Sequence, residues 1–154
     1  MKYILLYIFL GFVFSNCSKE NNLTPEQQLI EDIKIIEQYL KDNNLSAQKT
    51  TSGLHYIILN SGSGDSPTLT SSVKIKYKGY FTNKEDFDGT IGNEVTIFNL
   101  SENLISGFKE SLQLLKRGGK GTFLIPSYIG YGNQDYNSIP ANSVLIFDIE
   151  LVDF

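Results

Sequence analysis

Residues 73–79 read VKIKYKG, and this stretch decides the fold class. Val73, Ile75 and Tyr77 alternate with three lysines, and this period of two predicts a β-strand with one buried face. The lysine-coated face suggests either an anion-binding patch or the solvated side of a sheet, and the second interpretation needs no ligand. The stretch therefore predicts a sheet with one face in water and the other against a core.

More strands are predicted before and after this one. Apolar, β-favouring runs occur at four other places: residues 54–59, 95–100, 121–125 and 145–151. A helix is predicted before Gly118-Gly119, because apolar residues recur there at helical spacing: Ile105, Phe108, Leu112 and Leu115. Strands and helices do not alternate along the chain, so a parallel sheet is not favoured. The prediction is an α+β fold, with an antiparallel sheet of five to six strands wrapped on one helix.

An amphipathic helix is predicted ahead of this domain, over residues 24–42. Thr24 can cap it, Pro25 suits the first helical position, and Gln27 can complete a capping box. One apolar stripe follows at helical spacing and must be buried: Leu29, Ile33, Ile36 and Leu40. Two alternatives remain open, namely docking on the chain's own domain, or a role as a homodimer interface or spacer. The polar residues 43–53 predict a linker.

The first residues have the pattern of a targeting segment. The apolar run from Tyr3 to Phe14 is shorter than the about 20 residues that a membrane-spanning helix needs, and it fits a secretory signal. The run ends near Cys17, the one cysteine of the chain, and a polar segment follows. This junction resembles a bacterial lipobox. The resemblance implies a lipoprotein signal peptide at residues 1–16, lipidation of Cys17, and a lipid-anchored tether over residues 17–50.

The location of the mature protein follows from the same segment. Residues 18–20, Ser-Lys-Glu, resemble the surface-export signal of lipoproteins in the Bacteroidetes group. The resemblance implies a cell-envelope protein that a lipid holds to a membrane, in particular the outer membrane, on its periplasmic or surface face. A cleaved soluble secretory protein and an uncleaved anchor are the alternatives.

Composition and spacing exclude several classes of function. The net charge is −4 and no basic run occurs, so nucleic acid is not expected as a partner. A single cysteine excludes an internal disulfide, and one histidine with one cysteine cannot form a usual zinc site. The order of residues 118–122, GGKGT, is not that of a phosphate-binding loop. His55 has no partner at a catalytic spacing, so covalent and acid–base catalysis have no visible machinery and no cofactor is expected.

Several segments in series resemble the FKBP-type peptidyl-prolyl cis/trans isomerase domain. They follow one another in the family's order: Val73–Gly79, Phe87-Asp88, Phe98–Phe108, Leu114–Gly121, Ile125–Gly132 and Ile139–Leu151. The resemblance covers residues 51–154. It implies an isomerase domain there, which accelerates the isomerisation of Xaa-Pro bonds in secreted or envelope polypeptides.

The resemblance also implies which residues form the site. The catalytic pocket would contain Tyr77, Phe87, Asp88, Ile105, Phe108, Tyr131, Ile139 and Phe147. Further substrate-binding residues would be Leu104, Phe98 and Tyr136. In the family, the prolyl ring is held by the positions of Phe87, Phe108, Ile139 and Phe147. The Ile105 N–H and the Tyr131 hydroxyl bind substrate carbonyls, and Asp88 orients polar groups near the twisting amide.

Two positions depart from the family's pattern. Phe108 stands where the family usually has tryptophan, and Thr96 stands where it has a second aromatic residue. Both changes predict a roomier and less aromatic pocket. They motivate the alternative of a weakly active binding module or chaperone in an envelope complex. A third hypothesis is a structural subunit, since some flavobacterial gliding-motility lipoproteins are similar to this chain.

Overall fold

The computed structural model describes residues 23–154. In chain order, this part forms α1 (Pro25–Asp42), β1 (Gln48–Lys49), β2 (His55–Asn60), β3 (Ser72–Tyr80), β4 (Asp86–Gly89), β5 (Thr96–Asn99), α2 (Ser106–Gln113), β6 (Lys120–Ile125), the 3-10 helix η1 (Ser127–Ile129) and β7 (Leu145–Asp153). No helix within these residues is long and apolar enough to cross a membrane. The predicted signal peptide, the export signal and Cys17 lie outside the described residues.

The strands of this region form one antiparallel sheet. Its order is β1-β2-β6-β7-β3-β4, and β5 also pairs with β3. The long strand β3 is central: β7 pairs along one edge, while β5 and β4 share the other edge. The predicted α+β class and the antiparallel sheet are therefore confirmed.

Two short strands add to those predicted. The two-residue strand β1 pairs with β2 and falls within the predicted linker. The four-residue strand β4 carries Phe87 and Asp88, which the motif identified but alternation did not. Strands this short contain too few residues for an alternating pattern to stand out, so only their pairing partners reveal them.

The main core lies between the sheet and α2. Phe123 and Ile125 of β6 and Leu145 and Phe147 of β7 point to this side, and Leu112 of α2 packs among them. Successive residues of a strand point to opposite faces, so residues two apart share the core. All of these side chains are buried, and α2 is thereby held against the concave face of the sheet.

Helix α1 covers the opposite face of the same sheet. Ile36 and Leu40 are buried against Leu124, Val144 and Ile146, which form a second, smaller core. Leu124 and Ile146 point away from α2 because they alternate with the residues of the main core. Of the two alternatives for the apolar stripe, docking on the chain's own domain is therefore what the structure has.

The start of α1 is set by the capping residues that the sequence indicates. The Thr24 N–H donates to Gln27 Oε1 at 2.9 Å, and the Gln27 N–H donates to Thr24 Oγ1 at 3.3 Å. This reciprocal pair satisfies two N–H groups that have no partner within the helix. Pro25 occupies the first turn, where it lacks a donor that would otherwise need an acceptor.

Candidate active site

A cavity of about 530 Å³ opens between the concave face of the sheet, the start of α2 and the loop after β6. Its lining consists of Tyr77, Asp88, Phe98, Asn103, Leu104, Ile105, Phe108, Gly130, Tyr131, Tyr136 and Phe147. Nine of these eleven residues are predicted site residues, so the fold brings together side chains that are far apart in sequence.

Phe108 forms the floor of this cavity. Its ring meets those of Tyr77, Phe98 and Phe147 edge to face, with centroids 5.9, 5.6 and 5.1 Å apart. Helix α2 begins two residues earlier, so Phe108 lies in the first turn and points at the sheet. Aromatic rings favour this edge-to-face geometry because the positive ring edge meets the negative face. The result is a rigid apolar floor.

The close approach of α2 to the sheet depends on Gly107. A Cβ at this position would lie 2.5 Å from Ile125 Cγ2 and 3.1 Å from the Ile129 carbonyl oxygen. A side chain here would push the helix away from β6 and η1. Glycine therefore allows Phe108 to reach the cavity floor.

Two predicted residues adjoin the residues that line the cavity. The Phe87 ring stacks edge to face on Phe147 at 5.5 Å and packs against Phe81 at 4.9 Å. Ile139 is buried, and its backbone pairs with that of Tyr136. Both contact residues that line the cavity, Phe147 and Tyr136.

Polar groups lie along one wall of the cavity. Tyr131 and Tyr136 stack face to face with centroids 4.3 Å apart and planes 11° apart. Burial raises the pKa of the Tyr131 hydroxyl, and the neighbouring Tyr136 and Asp88 add to the shift. Burial also raises the pKa of the Tyr77 hydroxyl, with the Asp88 carboxylate as the second cause. Both phenols therefore remain protonated near neutral pH and are available as hydrogen-bond donors.

Backbone geometry orients the residues beside this wall. Asp88 lies in β4 opposite Gly79 of β3, and its Oδ1 accepts the Gly89 N–H at 2.8 Å. Ile105 is the N-cap of α2, and its carbonyl accepts the N–H groups of Phe108 and Lys109. The N–H groups at a helix start have no hydrogen-bond partner within the helix, so the Ile105 N–H takes no part in the backbone hydrogen bonds of α2.

Sequence reasoning did not identify two residues of the lining. Asn103 precedes Leu104, and Gly130 precedes Tyr131, so both adjoin motif residues. Their position next to a motif was the only available signal. Thr96, where the family's second aromatic is absent, lies in β5 opposite Ile75 and is not part of the lining.

A wider groove occurs on the other side of the molecule. Its volume is about 720 Å³, and most of its lining is polar or charged: Glu31, Lys34, Gln38, Asp42, Asn43, Thr82 and Lys84. Tyr39 is the one aromatic residue of this lining, whereas six aromatic residues line the smaller cavity, so the smaller cavity is the better candidate for binding a proline ring. Within residues 23–154, no group of three or more His, Cys, Asp or Glu side chains is arranged to hold a metal ion.

Comparison with known proteins agrees with this geometry. The sequence model of the FKBP-type peptidyl-prolyl cis-trans isomerase family matches residues 64–152. The FKBP-type peptidyl-prolyl cis-trans isomerase FkpA of Buchnera aphidicola subsp. Schizaphis graminum is 42% identical over 131 residues, which cover 84% of this chain and 51% of the relative. FkpA of Aeromonas hydrophila is 37% identical over 141 residues, covering 88% of this chain and 52% of the relative.

Solved structures agree as well. The crystal structure of FkpA from Escherichia coli superimposes with a TM-score of 0.71 at 30% identity, covering 83% of this chain and 63% of that one. The chain thus spans about half the length of the two FkpA sequences it matches. The cavity, the fold and these similarities lead to one conclusion: the chain belongs to the FKBP-type peptidyl-prolyl cis-trans isomerase family.

Proposed function

We propose that this chain is a peptidyl-prolyl cis/trans isomerase that accelerates Xaa-Pro isomerisation in proline-containing polypeptides. The observation that carries the proposal is the cavity floored by Phe108, with aromatic walls on one side and the Tyr131 and Asp88 groups on the other. An apolar hollow suits the proline ring, and nearby hydrogen-bond donors suit the carbonyls beside it.

The chemistry requires no bond to be made or broken. Rotation about an Xaa-Pro amide has a barrier of about 18–20 kcal/mol, and the loss of amide resonance is its origin. The twisted amide is less polar than the planar one, so an aromatic cavity disfavours it less. Each tenfold gain in rate needs only about 1.4 kcal/mol of preferential binding to the twisted form. Modest differences in binding are therefore sufficient.

Individual roles follow from this picture. Phe108 and Phe147, together with Phe87 and Ile139, hold the prolyl ring. The Ile105 N–H and the Tyr131 hydroxyl donate to substrate carbonyls and fix the bound turn. Asp88 faces the tyrosine hydroxyls and orients the polar groups near the amide without transferring a proton.

A proline-isomerisation assay of the full-length protein tests the proposal. Tyr131→Phe removes one donor to the substrate, worth about 0.5–1.5 kcal/mol, so kcat/KM should fall roughly two- to tenfold. The matched control is Tyr56→Phe, which removes a hydroxyl that donates to Gln48 Oε1 at 2.6 Å, outside the cavity lining. This control should leave kcat/KM unchanged.

The assay also separates the alternative function. No acceleration by the wild-type protein, at concentrations where Asp88→Leu and Tyr131→Phe are equally inactive, would reject the isomerase. Binding of a proline-containing peptide without acceleration, measured by calorimetry on the same protein, would instead support a binding module or chaperone on this fold.

We further propose that the protein works in the cell envelope. The support is the sequence alone: a signal peptide at residues 1–16, a lipid on Cys17, a tether over residues 17–50 and the isomerase domain at residues 51–154. Cys17→Ala should release the protein from membrane fractions. Unchanged membrane association of this variant would contradict lipidation, and labelling of intact cells would distinguish the outer-membrane surface from the periplasmic face.

Homodimerisation through residues 24–42 is a separate proposal. The buried face of α1 packs within its own chain, so a dimer would have to use the outer face, where Ile30 and Ile35 remain exposed. Analytical ultracentrifugation of wild type and Ile30→Lys would test it. A monomer in both samples would rule the dimer out.

A further inference from the structure

Asp32 is a buried carboxylate in the middle of α1. Its residue is 0% exposed, although the rest of the buried face of α1 is apolar. Buried carboxylates occur almost only where other groups satisfy their oxygens. Here Oδ1 accepts the Gln28 side-chain amide at 2.7 Å, and Oδ2 accepts both the N–H and the hydroxyl of Ser127, each at 2.7 Å.

The partner of Asp32 begins the loop that carries Tyr131. Ser127 is 1% exposed and is the first residue of η1. Its carbonyl accepts the N–H of Gly130 at 2.9 Å and that of Gly132 at 2.8 Å. These two glycines flank Tyr131 on both sides. A single peptide group therefore fixes the turn from which the Tyr131 side chain reaches the cavity.

The same turn is connected to the start of α2. The Ser106 hydroxyl donates to the Ile129 carbonyl at 3.3 Å, next to Ile105. The two elements that would bind substrate carbonyls, the Tyr131 turn and the N-cap of α2, are thus joined to each other. Asp32 is the one group of α1 bonded to this network through its side chain among the hydrogen bonds of the described residues.

We propose that Asp32 is a positioning residue for the site: its carboxylate holds Ser127, and Ser127 holds the turn that places Tyr131. The inference rests on the proposed function for its catalytic consequence only. Without the carboxylate, the Ser127 N–H is buried without an acceptor, and the 3-10 helix loses the contact that orients it. Helix α1, which precedes the sheet in the chain, is in this view part of the site's support.

The test compares substitutions at two positions on the buried face of α1 in the full-length protein. Asp32→Ala removes the acceptor, whereas Asp32→Asn keeps one side-chain oxygen that Ser127 can use. Leu40→Ala is the matched control, since Leu40 is buried against the sheet away from Ser127 and its truncation destabilises the docking of the same helix. Asp32→Leu, which removes both carboxylate oxygens but fills the space with an apolar side chain, serves if Asp32→Ala fails to fold.

The expected pattern has three parts. Asp32→Ala shifts the amide NMR signals of Gly130 and Gly132, and kcat/KM falls by up to about tenfold, the limit set by one hydrogen bond. Asp32→Asn restores most of both. Leu40→Ala lowers the melting temperature but leaves the glycine signals and kcat/KM unchanged at temperatures where it is folded. When Tyr131→Phe is already present, Asp32→Ala lowers kcat/KM by a smaller factor, because both substitutions act through the Tyr131 hydroxyl.

Two results would overturn the inference. One is that Asp32→Ala, or Asp32→Leu in its place, leaves the Gly130 and Gly132 signals where the wild type has them. The other is that Leu40→Ala moves those signals as much as Asp32→Ala does, which would reduce Asp32 to general stability. Because the NMR readout needs no turnover, an inactive wild-type protein would reject the proposed function while the link between Asp32 and the turn is still tested.

Discussion

Replacing the floor of the cavity is the sharpest test of the aromatic cluster. Phe108→Leu keeps an apolar side chain but removes three edge-to-face contacts, with Tyr77, Phe98 and Phe147. Each such contact contributes about 0.5–1.5 kcal/mol beyond burial, and contacts that share one ring are not additive. Phe108 is 4% exposed, so the smaller leucine also loses buried apolar contact. Together these losses should lower the free energy of unfolding by about 2 kcal/mol.

The assay is urea unfolding followed by far-UV circular dichroism, with kcat/KM measured on the same samples. Phe81→Leu is the matched control, because Phe81 is half-buried and, within residues 23–154, its ring pairs with that of Phe87 and no other. Its loss should stay below about 1 kcal/mol, and kcat/KM should be unchanged. Equal losses for both variants, or a Phe108→Leu loss below about 0.5 kcal/mol, would show that the floor is not held by its aromatic contacts.

Two further predictions concern residues outside the lining. Burial lowers the pKa of His55 in the folded protein, so as the pH falls His55 is protonated in the unfolded chain before it is protonated in the folded one. The free energy of unfolding of the wild type should therefore fall as the pH drops below about 6.5. In the wild type, His55 Nδ1 lies 2.9 Å from the Gly53 carbonyl oxygen, and the side-chain amide of His55→Asn can still donate to it. This variant cannot titrate, so its urea midpoint should change less than that of the wild type between about pH 7 and 5. An equal change in both proteins would contradict the prediction. Gly79→Ala would place a methyl 2.7 Å from Phe87 Cε2 and 2.9 Å from Phe147 Cε1. The overpacking should cost about 1–3 kcal/mol, read from thermal melting, and an unaltered midpoint would refute it.

Much of the fold was predictable because its signals are local. The alternation of Val73 and Ile75 with lysines gives the buried face of β3, and the capping pair of Thr24 and Gln27 gives the start of α1. Strands β1 and β4 were not predicted, since two or four residues are too few to show an alternating pattern. Which sheet edge they join depends on partners elsewhere in the chain.

Some residues of the candidate site were likewise predictable from the sequence, and others were not. Its motif residues were identified from the resemblance, and most of them line one cavity. Phe87 and Ile139 pack next to the residues that line it, and their contact with the prolyl ring stays a prediction. Asn103 and Gly130 line the cavity through the path of their loops, which no pattern encodes.

The sequence by itself determined which residues share a strand face, where α1 begins and which family the domain resembles. The reason is that each of these depends on neighbours within a few positions. Only the tertiary structure decided that α1 docks on its own sheet and that Asp32 is buried against Ser127. An aspartate on an amphipathic helix ordinarily faces water. Its burial here results from packing between two segments 95 residues apart. A local sequence pattern contains no information about a contact over that separation.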